Sequence, residues 1–440
     1  MRIHWLLMAV IGLITIALVF NIRWAWGSDD IAYRDFNQQF NGQVIPFLQM
    51  RSETWTSRLT IEAAIFAVVN HLFWWRLITA LAFWLVIVLP PLFVSNNPAK
   101  LRYLLPVSGL LVLSIPSGVW FDAGLIATSI NYLWALAAGL LAALPVVWFL
   151  QNRPFNWWWL LAAIPAALFA GGSEIVSVLL AALYATAIGL LIYRRQFNRP
   201  ASLVAGGFQI FLLAAVLWHV LSPGNAARGG STDWFSPLFP IIFEASFSST
   251  LRQLFMSGYL VPLAFFIVIV CLNYQRRGWG LFTYLSLVPI AGSLLLRDPY
   301  PYVGTMGTLF TNLFIDGNLL WNTTEPGLPQ TFYLSNLLAV FVLTLLLLTA
   351  IAGIVGAFMN RPQLVPILVI LAAGFASKFI VVQTIGHALA IQFHRTDLYL
   401  LVAFALATLI SIAAPAARVA EAQASGVVSE PVLVSGDFAG

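Results

Sequence analysis

Residues 72–94 read LFWWRLITALAFWLVIVLPPLFV, with a single cation in the whole stretch. Apolar runs of this kind recur along the chain, at 3–20, 72–94, 103–119, 128–149, 157–171, 174–193, 203–221, 258–273, 280–296, 332–352, 363–382 and 397–415. Most approach the ~20 residues a helix needs to cross ~30 Å of hydrocarbon. Lipid offers no partner for a bare backbone, so such segments must be helices that satisfy their own N–H and C=O groups. With 61% hydrophobic and 8% charged residues the chain is no soluble domain. The expectation is an all-α, polytopic transmembrane helix bundle of about twelve spans over residues 1–417, followed by a small, polar, disordered tail at 418–440. Segment 59–70, LTIEAAIFAVVN, is too short to cross and reads as an interfacial helix. The first run lacks an A-x-A-like cleavage site and reads as a retained anchor.

Charge sets the orientation. With the start in the cytoplasm, the short inner loops hold Arg2, Lys100, Arg102, Arg153, Arg194, Arg195, Arg199, Arg276, Arg277, Arg361 and Arg418, about half of the 21 Lys and Arg. The inner loops then contain no acid, and both termini lie inside. A net charge of +5 is dispersed rather than clustered, so nucleic acid is not an expected partner. Cys271 is the single cysteine, so an intrachain disulfide and a cysteine-based metal site are both excluded.

All the long loops fall on the outer side, where unusual polar residues gather. The first opens with GSDD, containing Asp29 and Asp30, and later carries Arg51, Glu53 and Arg58. Arg58 and Glu62 are four apart, a spacing that shares a helix face. GGSE at 171–174 places Glu174 at a helix start beside glycines that let another chain approach. SPGNAARGG at 222–230 carries Asn225 and Arg228; Arg252, Arg297 and the stretch HRTD, with His394 and Arg395, follow. Each has a bland reading: Asp29 and Asp30 as helix caps, Glu174 as a first-turn acid, PGNAARGG as a turn, Arg395 and Asp397 as an exposed ion pair. His4, His71 and His219 read as packed histidines. Arg76 and Lys378, the cations deepest in spans, lie near enough to span ends to snorkel. Taken together, arginines from four outer segments and carboxylates from two suit a polar cavity that binds phosphate and accepts a proton.

The short first span, the long outer loop opening with GSDD, and interfacial helices ending in WTSR resemble the GT-C superfamily of membrane glycosyltransferases. GGSE and SPGNAAR further resemble a bacterial branch similar to the serotype-converting O-antigen glucosyltransferases. The resemblance implies an inverting transferase in a bacterial inner (plasma) membrane, moving a sugar from a polyprenyl-phosphate lipid to a glycan or lipid-linked acceptor on the outer face. It implies Asp30 as the base, with Asp29 positioning the acceptor. In a metal-dependent relative, Asp29 and Asp30 would hold a divalent cation such as Mg or Mn. Arg58, Arg228 and Arg395, backed by Arg252 and Arg297, are the expected phosphate ligands; Glu174, Asn225 and His394 are the expected sugar or acceptor ligands. The alternatives are a transporter or flippase of lipid-linked saccharides, which expects ionisable groups near mid-span and broken helices, and an O-antigen polymerase or ligase.

Overall fold

The computed structural model describes residues 2–23, 27–121, 124–153, 156–195, 198–229, 247, 250–296, 334–385 and 397–414. In chain order the principal helices are α1 (Arg2–Phe20), α2 (Ser28–Gln39), α3 (Val44–Thr54), α4 (Leu59–Val68), α5 (Leu72–Val94), α6 (Pro98–Leu113) and α7 (Leu125–Leu150). They continue as α8 (Trp157–Ala170), α9 (Glu174–Tyr193), α10 (Arg199–Leu221), α11 (Pro223–Gly229), α12 (Leu260–Arg277) and α13 (Leu281–Leu295), then α14 (Leu334–Phe358), α15 (Leu364–Ile385) and α16 (Leu398–Ala413). No strand occurs among the described residues.

Seven helices are long and apolar enough to cross a membrane among the described residues: α1, α5, α7, α9, α10, α12 and α14. Of the other stretches read as spans, α6, α8, α13 and α16 are helices of 16 residues or fewer, and α15 is apolar over Leu364–Ile380. Helix α4 covers ten of the residues expected to form an interfacial helix.

The most buried of the seven is α7, which packs against α5, α8 and α9. It is not a uniform α-helix: Ser129–Trp134 forms a π-helical turn, a wider winding that recurs at functional sites. Polar tips inside the bundle find partners. The Trp75 indole donates to Ser129 Oγ at 2.8 Å, the Trp134 indole to Thr79 Oγ1 at 3.0 Å, and the Tyr184 hydroxyl to the Ala142 carbonyl at 2.6 Å. Between helices in lipid such bonds and close packing hold the bundle, because burial from one apolar medium into another gains little. Helix α16 is buried nearly all round and sits against α15 and α12.

Helices α2, α3 and α4 form a cap over the first turns of α7. Phe47 is its centre, with the rings of Tyr33, Phe36 and Phe40 within 5.7–6.3 Å of it and that of Phe66 stacked at 4.5 Å. The chain reverses between α2 and α3 through Asn41 and Gly42, both at positive φ, which these two residue types tolerate. Asn37 then ties α2 to α4 by donating to the Phe66 carbonyl at 3.1 Å.

Candidate functional site

Asp30 is fully buried on the face of α2 that meets α7. Its Oδ2 accepts from the Leu125 backbone N–H at 2.8 Å, and its Oδ1 from those of Ile126 at 3.1 Å and Ala127 at 2.9 Å. The first turn of a helix has N–H groups without intrahelical partners, and a carboxylate placed there also meets the positive end of the dipole. A Cβ at Gly124, just before that turn, would lie 2.7 Å from Asp30 Oδ1, so glycine is what lets the two chains close together. Burial raises the Asp30 pKa from its ordinary value, against the lowering pull of these N–H donors and that of Gly27. Both oxygens are engaged by backbone, and Asp30 does not line the neighbouring cavity. The carboxylate expected from the sequence to be the base lies against the first turn of α7, accepting from its backbone N–H groups.

That cavity holds about 470 Å³ and lies between the cap and α7. Its charged lining residues are Asp29, Arg51, Arg58 and Glu62; Tyr33, Phe36, Trp55, Thr56, Thr128, Asn131 and Tyr132 complete its polar and aromatic wall. Asp29 is half-buried and Trp55 is 44% exposed. The π-turn of α7 is what delivers Asn131 and Tyr132 to the wall.

Two ion pairs brace it. Arg51 Nε donates to Glu62 Oε2 at 2.9 Å while the Tyr33 hydroxyl donates to Glu62 Oε1 at 2.8 Å, and the guanidinium carbon lies 5.4–5.6 Å from the rings of Tyr33, Phe36 and Trp55. Burial would lower the Arg51 pKa, but Glu62 and Tyr33 outweigh it and leave it raised. Burial, then Glu62, push Tyr33 well above the usual phenol range, so it stays a hydrogen-bond donor. Arg58 pairs through Nε with Glu174 and donates from Nη1 to Asn131 Oδ1 at 3.3 Å. Burial pulls its pKa down and Glu174 and Tyr132 more than restore it, so the net direction is up. The remaining terminal nitrogen of each guanidinium, Arg51 Nη1 and Arg58 Nη2, has no partner among the described residues. The helix-face pairing of Arg58 with Glu62 does not form: Arg58 precedes α4 as its N-cap, outside the helical register, and each residue takes a different partner.

The three motifs WTSR, GGSE and SPGNAAR converge behind Arg58. Gly172 of GGSE lies so near α4 that a Cβ would meet Thr60 Oγ1 at 1.8 Å. Gly224 of SPGNAAR packs on the end of α3, where a Cβ would meet the Thr56 N at 2.5 Å. Ser57 sits at the junction: its N–H donates to Asn225 Oδ1 at 3.2 Å, its carbonyl accepts from the Trp218 indole at 3.0 Å, and its Oγ meets Asn225 Nδ2, Glu174 Oε1 and His219 Nδ1. Asn225 and Glu174, expected to touch a sugar, are therefore spent on protein contacts, and neither lines the cavity. His219 is packed, as expected, between Ser57 and the Gly171 carbonyl.

The other expected ligands lie apart. Arg228 belongs to α11, with its side chain outside the described residues, as are Arg297, His394 and Arg395 altogether. Arg252 is half-buried and does not line the cavity. Asp397 is not an exposed partner of Arg395: it is fully buried, paired with Lys378 and accepting from the Tyr259 hydroxyl at 2.7 Å. Lys378 does not snorkel, because that carboxylate meets it inside the bundle. Of the pair expected to hold a divalent cation, Asp30 has both oxygens taken by backbone, and among the described residues no group of three or more His, Cys, Asp or Glu could hold a metal.

A second cavity, of about 460 Å³ and almost wholly apolar, runs between α7, α9, α15 and α16. It reaches Tyr399, whose ring lies 6.4 Å from that of Tyr132 in the polar cavity. Trp55 and Thr56 open the WTSR stretch, whereas Asn131 and Tyr132 carry no motif in the sequence; their one polar signal is Asn131 inside an apolar run. Comparison with family models, with curated proteins and with solved structures returns no match to this chain.

Proposed function

We propose that the chain is a membrane glycosyltransferase that takes a sugar from a polyprenyl-phosphate lipid and passes it to a hydroxyl of a glycan or lipid-linked acceptor. The observation that carries this reading is one polar cavity combining a carboxylate, Asp29, with two guanidinium groups that each keep one terminal nitrogen unengaged by described residues. Its size is in the range that takes a small ligand group. The base role passes from Asp30 to Asp29, the member of the pair that lines the cavity.

In the step proposed, the acceptor oxygen forms a bond to the anomeric carbon while that carbon's bond to the phosphate oxygen breaks. The phosphate leaves with the electron pair, and the acceptor proton passes to Asp29. Arg58 and Arg51, already oriented by Glu174 and Glu62, stabilise the charge that grows on the departing phosphate without reorganising. Trp55 and Tyr132 offer faces against which sugar rings stack. The apolar cavity that approaches at Tyr399 suits the isoprenoid tail.

The transporter reading draws on one observation, the Lys378–Asp397 pair enclosed in the bundle, since ionisable groups inside membrane helices mark transport paths. One experiment separates the two. Purified protein is incubated with a panel of polyprenyl-phosphate sugars and glycan acceptors, and in parallel placed in acceptor-free vesicles. A glycosylated product seen by mass spectrometry supports transfer. Protein-dependent movement of the lipid-linked sugar with no product would sink it in favour of flipping.

A further inference from the structure

We propose that His219 is a positioning residue for the anion site, acting through Ser57 and Glu174 on Arg58: its second ring proton decides which neighbour receives the Ser57 hydroxyl hydrogen. The inference rests on the transferase reading for the identity of the anion, and on proton counting for the device itself.

The Gly171 carbonyl, 2.8 Å from His219 Nε2, can only accept, so Nε2 carries a hydrogen. The amide of Asn225 is fixed as well: its oxygen accepts from the Ser57 N–H, so its nitrogen donates, to Ser57 Oγ at 2.9 Å and to the His219 carbonyl at 2.9 Å. Ser57 Oγ, with one hydrogen to give, then faces both His219 Nδ1 at 2.6 Å and Glu174 Oε1 at 3.2 Å. With neutral His219 both are acceptors, and one of them goes without. With His219 doubly protonated, Nδ1 donates to Ser57, Ser57 donates to Glu174, and every group in the buried cluster is satisfied. The charged groups facing His219 are Glu174 on α9 and Arg58 at the start of α4. Cationic His219 thus leaves the set with one net positive charge behind the cavity wall, where neutral His219 leaves none. Arg58 is the member that reaches the cavity.

Acidification should therefore tighten the hold on an anion at Arg58. Binding of a polyprenyl phosphate to the full chain, and KM for its sugar-loaded form, are measured from about pH 5.5 to 8.5, spanning the ordinary histidine range. Wild type, His219→Gln and Ser57→Ala are compared, with folding checked by melting temperature. The expected result is that wild-type binding weakens roughly tenfold as pH rises, one charge acting across a partly screened distance, while both variants are flat. Ser57→Ala removes the oxygen that accepts from a protonated Nδ1, so the buried ring has no partner for its second proton and stays neutral over this range, and this variant decides alone if His219→Gln fails to fold. A wild-type slope retained in either folded variant overturns the proposal. Transfer with equal slopes overturns it while leaving the transferase reading intact; sloped binding with no transfer on any donor does the reverse.

Discussion

Replacing Asp30 by alanine tests whether that carboxylate is scaffold or chemistry. It removes the acceptor for three buried backbone N–H groups, those of Leu125, Ile126 and Ala127. An orphaned buried donor costs ~1–3 kcal/mol, but water entering the vacated space and relief of the buried charge offset part of the sum. Loss of a helix cap alone typically costs about 0.5–2 kcal/mol. A net loss of about 2–4 kcal/mol follows. At roughly 2 °C per kcal/mol, the melting temperature of detergent-purified protein falls by about 4–8 °C, read from intrinsic tryptophan fluorescence. Gly124→Ala, which drives a Cβ against the same pinned carboxylate, should produce a loss of the same kind. The pH dependence has a definite sign. Because the folded pKa of Asp30 is raised above its ordinary value of 3.8, its contribution is full below that value and declines as pH rises through the folded pKa. The gap between wild type and Asp30→Ala should narrow over that rise. An Asp30→Ala protein that melts like wild type yet transfers no sugar would refute the assignment and return the aspartate to catalysis.

Two further outcomes follow from contacts away from the cavity. Lys378→Met leaves Asp397 buried with its cation gone and should destabilise by about 3–5 kcal/mol; adding Asp397→Leu should recover much of the loss, and equal melts for the single and double variants would contradict the pairing. Gly172→Ala should lower the melting temperature through its collision with Thr60 Oγ1, and Thr60→Ala in the same chain should restore part of it; a neutral Gly172→Ala would mean that α4 and the GGSE turn do not pack as described.

Some of this was open to sequence reasoning and some was not, for identifiable reasons. The apolar runs announced the helices, and GGSE announced a helix start under close approach, which Gly172 against Thr60 and the Ser173 cap of α9 bear out. Neighbouring aspartates on one helix, however, point about 100° apart. Nothing in the letters DD says which faces the start of α7 and which the cavity. Spacing also misled at Arg58 and Glu62, because a residue at the N-cap has left the helical register. Lys378 read as a snorkelling cation because its partner belongs to the next helix start, brought near only by the packing of α15 on α16. Asn131 and Tyr132 became wall residues through a π-turn that no residue pattern signals.

The central claim is that Asp29, not its neighbour, takes the proton from the acceptor. Sugar transfer in a single turnover, with protein in excess over a polyprenyl-phosphate sugar, compares wild type with Asp29→Asn at equal donor occupancy. The account predicts a fall of about 10²–10⁴-fold in rate with an unchanged melting temperature. A variant that transfers sugar at the wild-type rate would contradict it.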